Sequence, residues 1–259
     1  MIPTVHLVYF SPTGTTRGVC EAIAQGLGAE KMISCDLTPV SAGRETVLID
    51  GVAVIGIPVY AGRVPELCLR RLRGLTARGV PAVLVALYGN RAFEDALVEL
   101  RDLAVAQGFK VIAAGAFIGE HSFSLPAEPI AAGRPHVGDL NLATEFGKRL
   151  AAKIESGDSG MPDIPGNVPY RDRAKLDRMA PETNGKKCNL CGRCAAVCPS
   201  GSIEVAETVA TDADKCILCC ACIKACEADA RCFTHPWIEK VRTMLRQNCG
   251  TPKAPEIFI

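Results

Sequence analysis

Along the first 155 residues, continuous apolar runs alternate with stretches whose apolar positions recur every three to four residues. The runs fall at 4–10, 31–36, 51–57, 81–87 and 110–117. Most are short, β-branched and apolar without alternation, the pattern of strands buried on both faces. Amphipathic stretches near 15–28, 65–77, 93–107 and 139–155 predict helices. Five strands alternating with helices predict an α/β fold with a parallel, doubly wound sheet. The connection over 37–50 carries the least clear pattern.

The character changes at Ser156. Gly157, Gly160, Pro162, Pro165, Gly166, Pro169 and Pro181 punctuate a polar stretch, which predicts a linker over 156–183 or an extended strap lying on a domain. A cysteine-rich module covers 184–235. After His235-Pro236 a helix is expected over 237–247, followed by an extended tail from Gly250 that holds Pro252 and Pro255.

The 259 residues suit about two domains. With 48% hydrophobic and 22% charged residues, a sizeable core can be buried. A net charge of +1 gives no general reason to expect a nucleic acid or an acidic membrane as partner. No apolar run reaches the ~18 residues of a membrane helix. The chain enters a strand by Thr4 with no basic leader, so a signal peptide is not expected. Without an export signal, the 14 cysteines point to metal in a reducing, low-oxygen cytoplasm rather than to disulfides.

Eight of those cysteines form two runs with one spacing. The first is Cys188, Cys191, Cys194 and Cys198, followed by Pro199; the second is Cys216, Cys219, Cys222 and Cys226. The runs lie 28 residues apart, and Lys187-Cys188-Asn189-Leu190-Cys191 aligns with Lys215-Cys216-Ile217-Leu218-Cys219. Two similar halves imply a pseudo-twofold unit with two equivalent metal centres. Consecutive thiolate triplets suit [4Fe–4S] cubes, and the fourth Cys of such a run ligates the other cluster. One cluster would take Cys188, Cys191, Cys194 and Cys226; the other Cys198, Cys216, Cys219 and Cys222. Structural zinc, the alternative together with disulfides, usually takes paired ligands mixed with His, and neither run contains His.

This segment resembles the bacterial-type ferredoxins with two [4Fe–4S] clusters over about 50 residues. It departs from them at Glu227, which stands where Pro is expected, and at Cys220, an extra thiol between two ligands that reads as a small residue near the cluster. Cys232 and Cys249 carry no assignment, and Cys20, Cys35 and Cys68 are expected to fill core space.

The loop after the first strand, Ser11-Pro12-Thr13-Gly14-Thr15-Thr16, leads into a helix. A strand, a hydroxyl-rich turn and a helix N-terminus together make an anion site, and hydroxyls without a Lys suit a phosphate monoester. The sequence lacks both the P-loop and the Gly-x-Gly-x-x-Gly fingerprints; simple helix capping is the alternative. Pro58-Val59-Tyr60-Ala61-Gly62-Arg63 and Leu87-Tyr88-Gly89-Asn90-Arg91 follow the third and fourth strands. In a doubly wound sheet these loops gather at the carboxyl ends of the strands, where ligands bind. Their aromatic rings, glycines and polar groups suit a flat ring system. The three loops in this order resemble the flavodoxin family across nearly the whole first domain, which implies FMN. Arg63 and Arg91 are either solvated or near the ring, where they would stabilise an anionic reduced flavin. His121 and Tyr88 are the candidate proton donors, with no acid–base constellation around them. His6 is expected to pack, and His136 and His235 lie in loops without catalytic context.

The domain order resembles flavodoxin–ferredoxin fusion proteins of anaerobes. The resemblance implies a flavo-iron–sulfur electron carrier that passes single electrons between two clusters and FMN and on to a redox partner protein. The alternative is a flavin-dependent reductase of a small molecule, fed through the clusters.

Overall fold

The computed structural model describes residues 2–43, 45–174 and 178–259. The chain runs β1 (Thr4–Tyr9), α1 (Thr15–Leu27), β2 (Lys31–Asp36), β3 (Thr46–Leu48), β4 (Val52–Pro58), α2 (Glu66–Leu72), β5 (Leu75–Ala77), β6 (Pro81–Tyr88), α3 (Ala96–Ala106), β7 (Lys110–Ile118) and α4 (Val137–Glu155). It continues through β8 (Glu182–Thr183), α5 (Arg193–Ala196), β9 (Ile203–Val205), β10 (Val209–Thr211), α6 (Ala221–Lys224), β11 (Arg231–Cys232), α7 (Pro236–Asn248) and β12 (Glu256–Phe258).

The main sheet has the order β12-β7-β6-β4-β1-β2. Its five strands β1, β2, β4, β6 and β7 are parallel, in the 2-1-3-4-5 order of flavodoxin-like sheets. Successive residues of the inner strands face opposite cores, so both must be apolar. Leu7, Tyr9, Val54, Val85 and Phe117 pack under α1 and α4. Val8, Phe10, Ile55, Leu84 and Ile118 pack under α2 and α3. Helices α1 and α4 meet backbone to backbone: a Cβ on Gly26 would lie 2.0 Å from the Thr144 carbonyl oxygen, and one on Gly147 2.1 Å from that of Ile23. Cys20 and Cys68 are buried in these cores, while Cys35 is partly buried beside one.

Three features differ from the sequence pattern. Strand β2 is an exposed edge rather than buried on both faces. The stretch 65–77 is a short helix followed by β5, which pairs in parallel with β3 from the 37–50 connection. The tail does not simply trail: β12 adds a sixth, antiparallel strand beside β7, with Ile257 opposite Gly115.

The described residues between α4 and β8 hold no helix or strand and lie along the first domain. The Asp95 carboxylate accepts from the backbone N–H groups of Asn167 (2.8 Å) and Arg171 (2.7 Å). Ile164 is buried in the core, and Arg173 pairs with buried Glu99 at 2.6 Å.

The cysteine-rich module obeys its 28-residue repeat in detail. Hairpin β9–β10 corresponds to the β8–β11 pair. The Asn184 N–H donates to Ala230 O at 2.8 Å as Asp212 N–H donates to Ser202 O at 2.7 Å. Leu190 and Leu218 both take positive φ, as do Gly192 and Cys220. Two histidines without catalytic context prove to be caps: His136 completes a capping box with Asp139 on α4, and His235 Nδ1 accepts the Trp237 N–H on α7.

Candidate functional site

The carboxyl ends of β1, β4, β6 and β7 surround a mostly apolar cavity of about 340 Å³. Its floor comes from the loops singled out in the sequence. Of their 17 positions, twelve line it: Pro12, Thr13, Thr15, Thr16, Pro58, Val59, Tyr60, Ala61, Leu87, Tyr88, Gly89 and Arg91. At the first loop, Gly14 takes φ 82° and leaves α1 without a side-chain cap of its own. The Ser11 hydroxyl instead accepts the Arg17 N–H at 3.1 Å, so Ser11 shapes the turn from behind the wall. Thr13 and Thr15 bring their hydroxyl oxygens to 3.4 Å of each other at the helix start. These two hydroxyls and the dipole of α1 fit a phosphate monoester.

Ala61 (φ 49°) and Gly62 (φ 80°) form a tight turn closed by paired backbone bonds between Tyr60 and Arg63. The turn presents Tyr60 and Ala61 to the cavity and directs Arg63 away. Arg63 is buried against Glu99, donating from Nε at 2.9 Å and Nη2 at 2.7 Å, with its guanidinium 4.7 Å from the Tyr170 ring centre. Of the two arginines considered for the ring, only Arg91 lies on the wall. Asn90 also turns away, because its amide holds the tail through Cys249 O (2.6 Å), Thr251 O (2.9 Å) and the Lys253 N–H (3.0 Å).

His121 lies on the wall against Gly89, where a Cβ would come within 2.3 Å of the imidazole. Its Nδ1 accepts the Phe123 N–H at 3.0 Å, which leaves the proton of the neutral ring on Nε2. Burial, with Arg91 and Lys224 nearby, pushes its pKa down to about 4. At neutral pH the ring is therefore an uncharged donor, not an imidazolium. Burial pushes the Tyr88 phenol up to about 12, and burial also raises Tyr60 well above the usual phenol range, next to Cys219 and Cys220.

The roof was not read from the sequence. It consists of Ile217 and Leu218 from the cysteine module, Trp237, Val241, Met244 and Leu245 from α7, and Arg171 and Ala174 from the preceding segment. The apolar stripe of α7 was the available signal. The roof is tied down by Lys224, which pairs with Glu120 and donates to Ser124 O at 3.0 Å. Arg242 donates to Phe123 O at 3.0 Å, and buried Arg71 donates to Pro199 O at 2.6 Å.

The eight repeat cysteines surround two further cavities. One is lined by Cys188, Cys191, Cys194 and Cys226; the other by Cys198, Cys216, Cys219 and Cys222, with Cys220 beside them. Each space thus combines one triplet with the fourth cysteine of the other run. The Ser202 N–H reaches Cys198 Sγ at 3.4 Å, and the equivalent Ala230 N–H reaches Cys226 Sγ at 3.3 Å. Burial pushes the Cys219 thiol up to about 12, so ionised sulfur here needs a cationic centre. None of the 14 cysteines is paired in a disulfide, and four sulfurs border each space. The donor set suits a multi-atom thiolate-bound group.

Residues 180–227 match the family described as "4Fe-4S dicluster domain". NADH-quinone oxidoreductase subunit I 2 of Rhodopseudomonas palustris (strain BisB18) is 29% identical over 76 residues, 29% of this chain and 43% of that protein, so less than half of that relative is spanned. Solved structures that resemble the chain include a flavodoxin from the domain Archaea, with 15% identity, covering 59% of this chain and 99% of that one at a TM-score of 0.37. A flavodoxin of Streptococcus pneumoniae TIGR4 shows 19% identity, 58% and 99% coverage and a TM-score of 0.40. A Fusobacterium nucleatum flavodoxin bound to flavin mononucleotide shows 16%, 60%, 98% and 0.39. No helix among the described residues is long and apolar enough to cross a membrane. The chain joins an α/β domain of flavodoxin-like strand order to a 4Fe–4S dicluster segment.

Proposed function

We propose that this protein carries electrons between two [4Fe–4S] clusters and FMN within one chain and exchanges them with a redox partner protein. The supporting observation is a shared wall: Ile217 lines both the apolar cavity and the second thiol cage, and Leu218 beside it closes the cavity. Thr13, Thr15, Thr16 and the start of α1 would hold the phosphate. Tyr60, Ala61, Tyr88, Gly89 and the 119–123 loop would hold the ring. The bound flavin supplies one- and two-electron chemistry and the clusters one-electron steps. The chain's own residues exclude water with α7 and Leu218, and present His121 Nε2–H as a neutral donor. The dicluster family match and the 76-residue similarity to a quinone oxidoreductase subunit support a place in electron transfer.

Anaerobically purified protein is expected to contain about eight iron atoms, with matching acid-labile sulfide, and one FMN. Zinc without sulfide would remove the cluster reading; full iron without flavin would remove the FMN reading alone.

A further inference from the structure

The 28-residue repeat breaks at several chemically large steps, and one of them lies where both cages can feel it. Ile203 in the first half corresponds to Arg231 in the second. Both stand at the first position of a short strand, β9 and β11, and each lines a cage: Ile203 the one with Cys216, Cys219 and Cys222, Arg231 the one with Cys188, Cys191 and Cys194. An apolar wall on one side thus faces a guanidinium on the other.

Arg231 is 3% exposed. Its Nη1 pairs with Thr183 Oγ1, and its Nη2 donates to Thr211 Oγ1 at 2.8 Å. Thr183 and Thr211 are themselves equivalent under the repeat, being 28 residues apart. The guanidinium therefore sits between the two halves, held by matching hydroxyls. Nη2 also lies 3.7 Å from Cys222 Sγ, so the residue lines one cage and touches a thiol of the other. Among the described residues no carboxylate pairs with it, and its buried Nε has no partner. Hydroxyls satisfy donors without neutralising charge. A buried cation lacking a counter-ion is costly unless negative charge forms beside it.

We propose that Arg231 is a positioning residue for electrons: a buried, uncompensated cation shared by both cages that raises their reduction potentials. The proposal rests on the cluster reading above. Each one-electron reduction by a low-potential donor adds one negative charge to a cage. Close to a fixed positive charge in a medium of low dielectric, that added charge is stabilised, and the oxidised state gains less. With Ile at both equivalent positions the stabilisation would be absent.

The test is a potentiometric titration of full-length, anaerobically purified holoprotein followed by EPR, after iron and sulfide have been counted. In Arg231→Gln and Arg231→Ile, the reduced-to-oxidised ratio of the clusters at a fixed solution potential should fall at least about tenfold, ~59 mV for one electron. Arg231→Lys should stay near the unsubstituted protein. Neutral variants with full iron that titrate with the unsubstituted protein would overturn the proposal, as would a lysine variant that falls as far as the glutamine one. Absence of iron from the unsubstituted protein would instead remove the cluster reading. If a neutral variant loses iron, the contact is read in protein carrying Arg193→Lys and ¹⁵N-labelled arginine. Pulsed EPR of the reduced clusters should then show ¹⁵N coupling, and its absence overturns the proposal.

Discussion

His121 shows how one side chain's charge is settled by its packing. Unfolded, the imidazole titrates near 6.5; folded, burial and the cations Arg91 and Lys224 bring it to about 4. As pH falls from neutrality the unfolded chain takes up the proton first, so stability present above 6.5 is lost progressively down to about 4. The loss is at most about 3 kcal/mol, and less where solvent reaches the half-buried ring. His121→Gln should flatten the fall of the thermal midpoint between those pH values; identical slopes in both proteins would count against the assignment. Position in a loop was legible here, but direction was not. Arg63 and Asn90 sit among the expected ring contacts, yet Glu99 claims the first and the Cys249 and Thr251 carbonyls claim the second. Those partners lie 36, 159 and 161 residues away, beyond any local pattern. Cys220 is clearer once the repeat is followed: it occupies the left-handed position of Gly192.

At the level of elements, the inner strands were legible because burial on both faces leaves an uninterrupted apolar run. Pairings made at a distance were not. Strands β3 and β5 are three residues each and stabilise one another across the end of α2. Strand β12 is equally short and finds its partner in β7, far back along the chain. Helix α7 was legible as a helix, while its use as a roof was not, since an amphipathic stripe does not say what it covers. Its anchor is Arg242, buried and bonded to Phe123 O, Glu128 and Glu239. Arg242→Ala leaves that carbonyl without its donor and Glu128 with Arg246 alone, at a cost of about 2 kcal/mol. The variant should keep its iron but bind FMN more weakly in a fluorescence titration. An unchanged dissociation constant would show that α7 does not close the flavin cavity.

Across the whole molecule, the two halves of the cysteine module meet different surroundings. Leu218 is 8% exposed and packed over the cavity, whereas its repeat partner Leu190 is 43% exposed. The cage holding Cys216, Cys219 and Cys222 therefore faces the apolar cavity, and the cage beside Leu190 and exposed Cys191 faces solvent. Electrons from a partner would enter at the outer cage, cross to the inner one and leave through the wall at Ile217. Beyond the outer cage, nothing in that route requires two copies of this chain to meet. In anaerobic stopped flow with a low-potential donor, the cluster band should bleach first. The flavin band should follow at a rate independent of protein concentration. Lys224 supplies a way to loosen the junction, because it ties α6, between Cys222 and Cys226, to Glu120 on the cavity wall and to Ser124 O. Lys224→Glu places two carboxylates together there. The substitution should slow the flavin phase, leave the cluster phase unchanged, and preserve iron and flavin content. A flavin phase that stays as fast in the variant, or that scales with protein concentration in the unsubstituted chain, would mean that the flavin is reached by encounter between molecules and not through the shared wall.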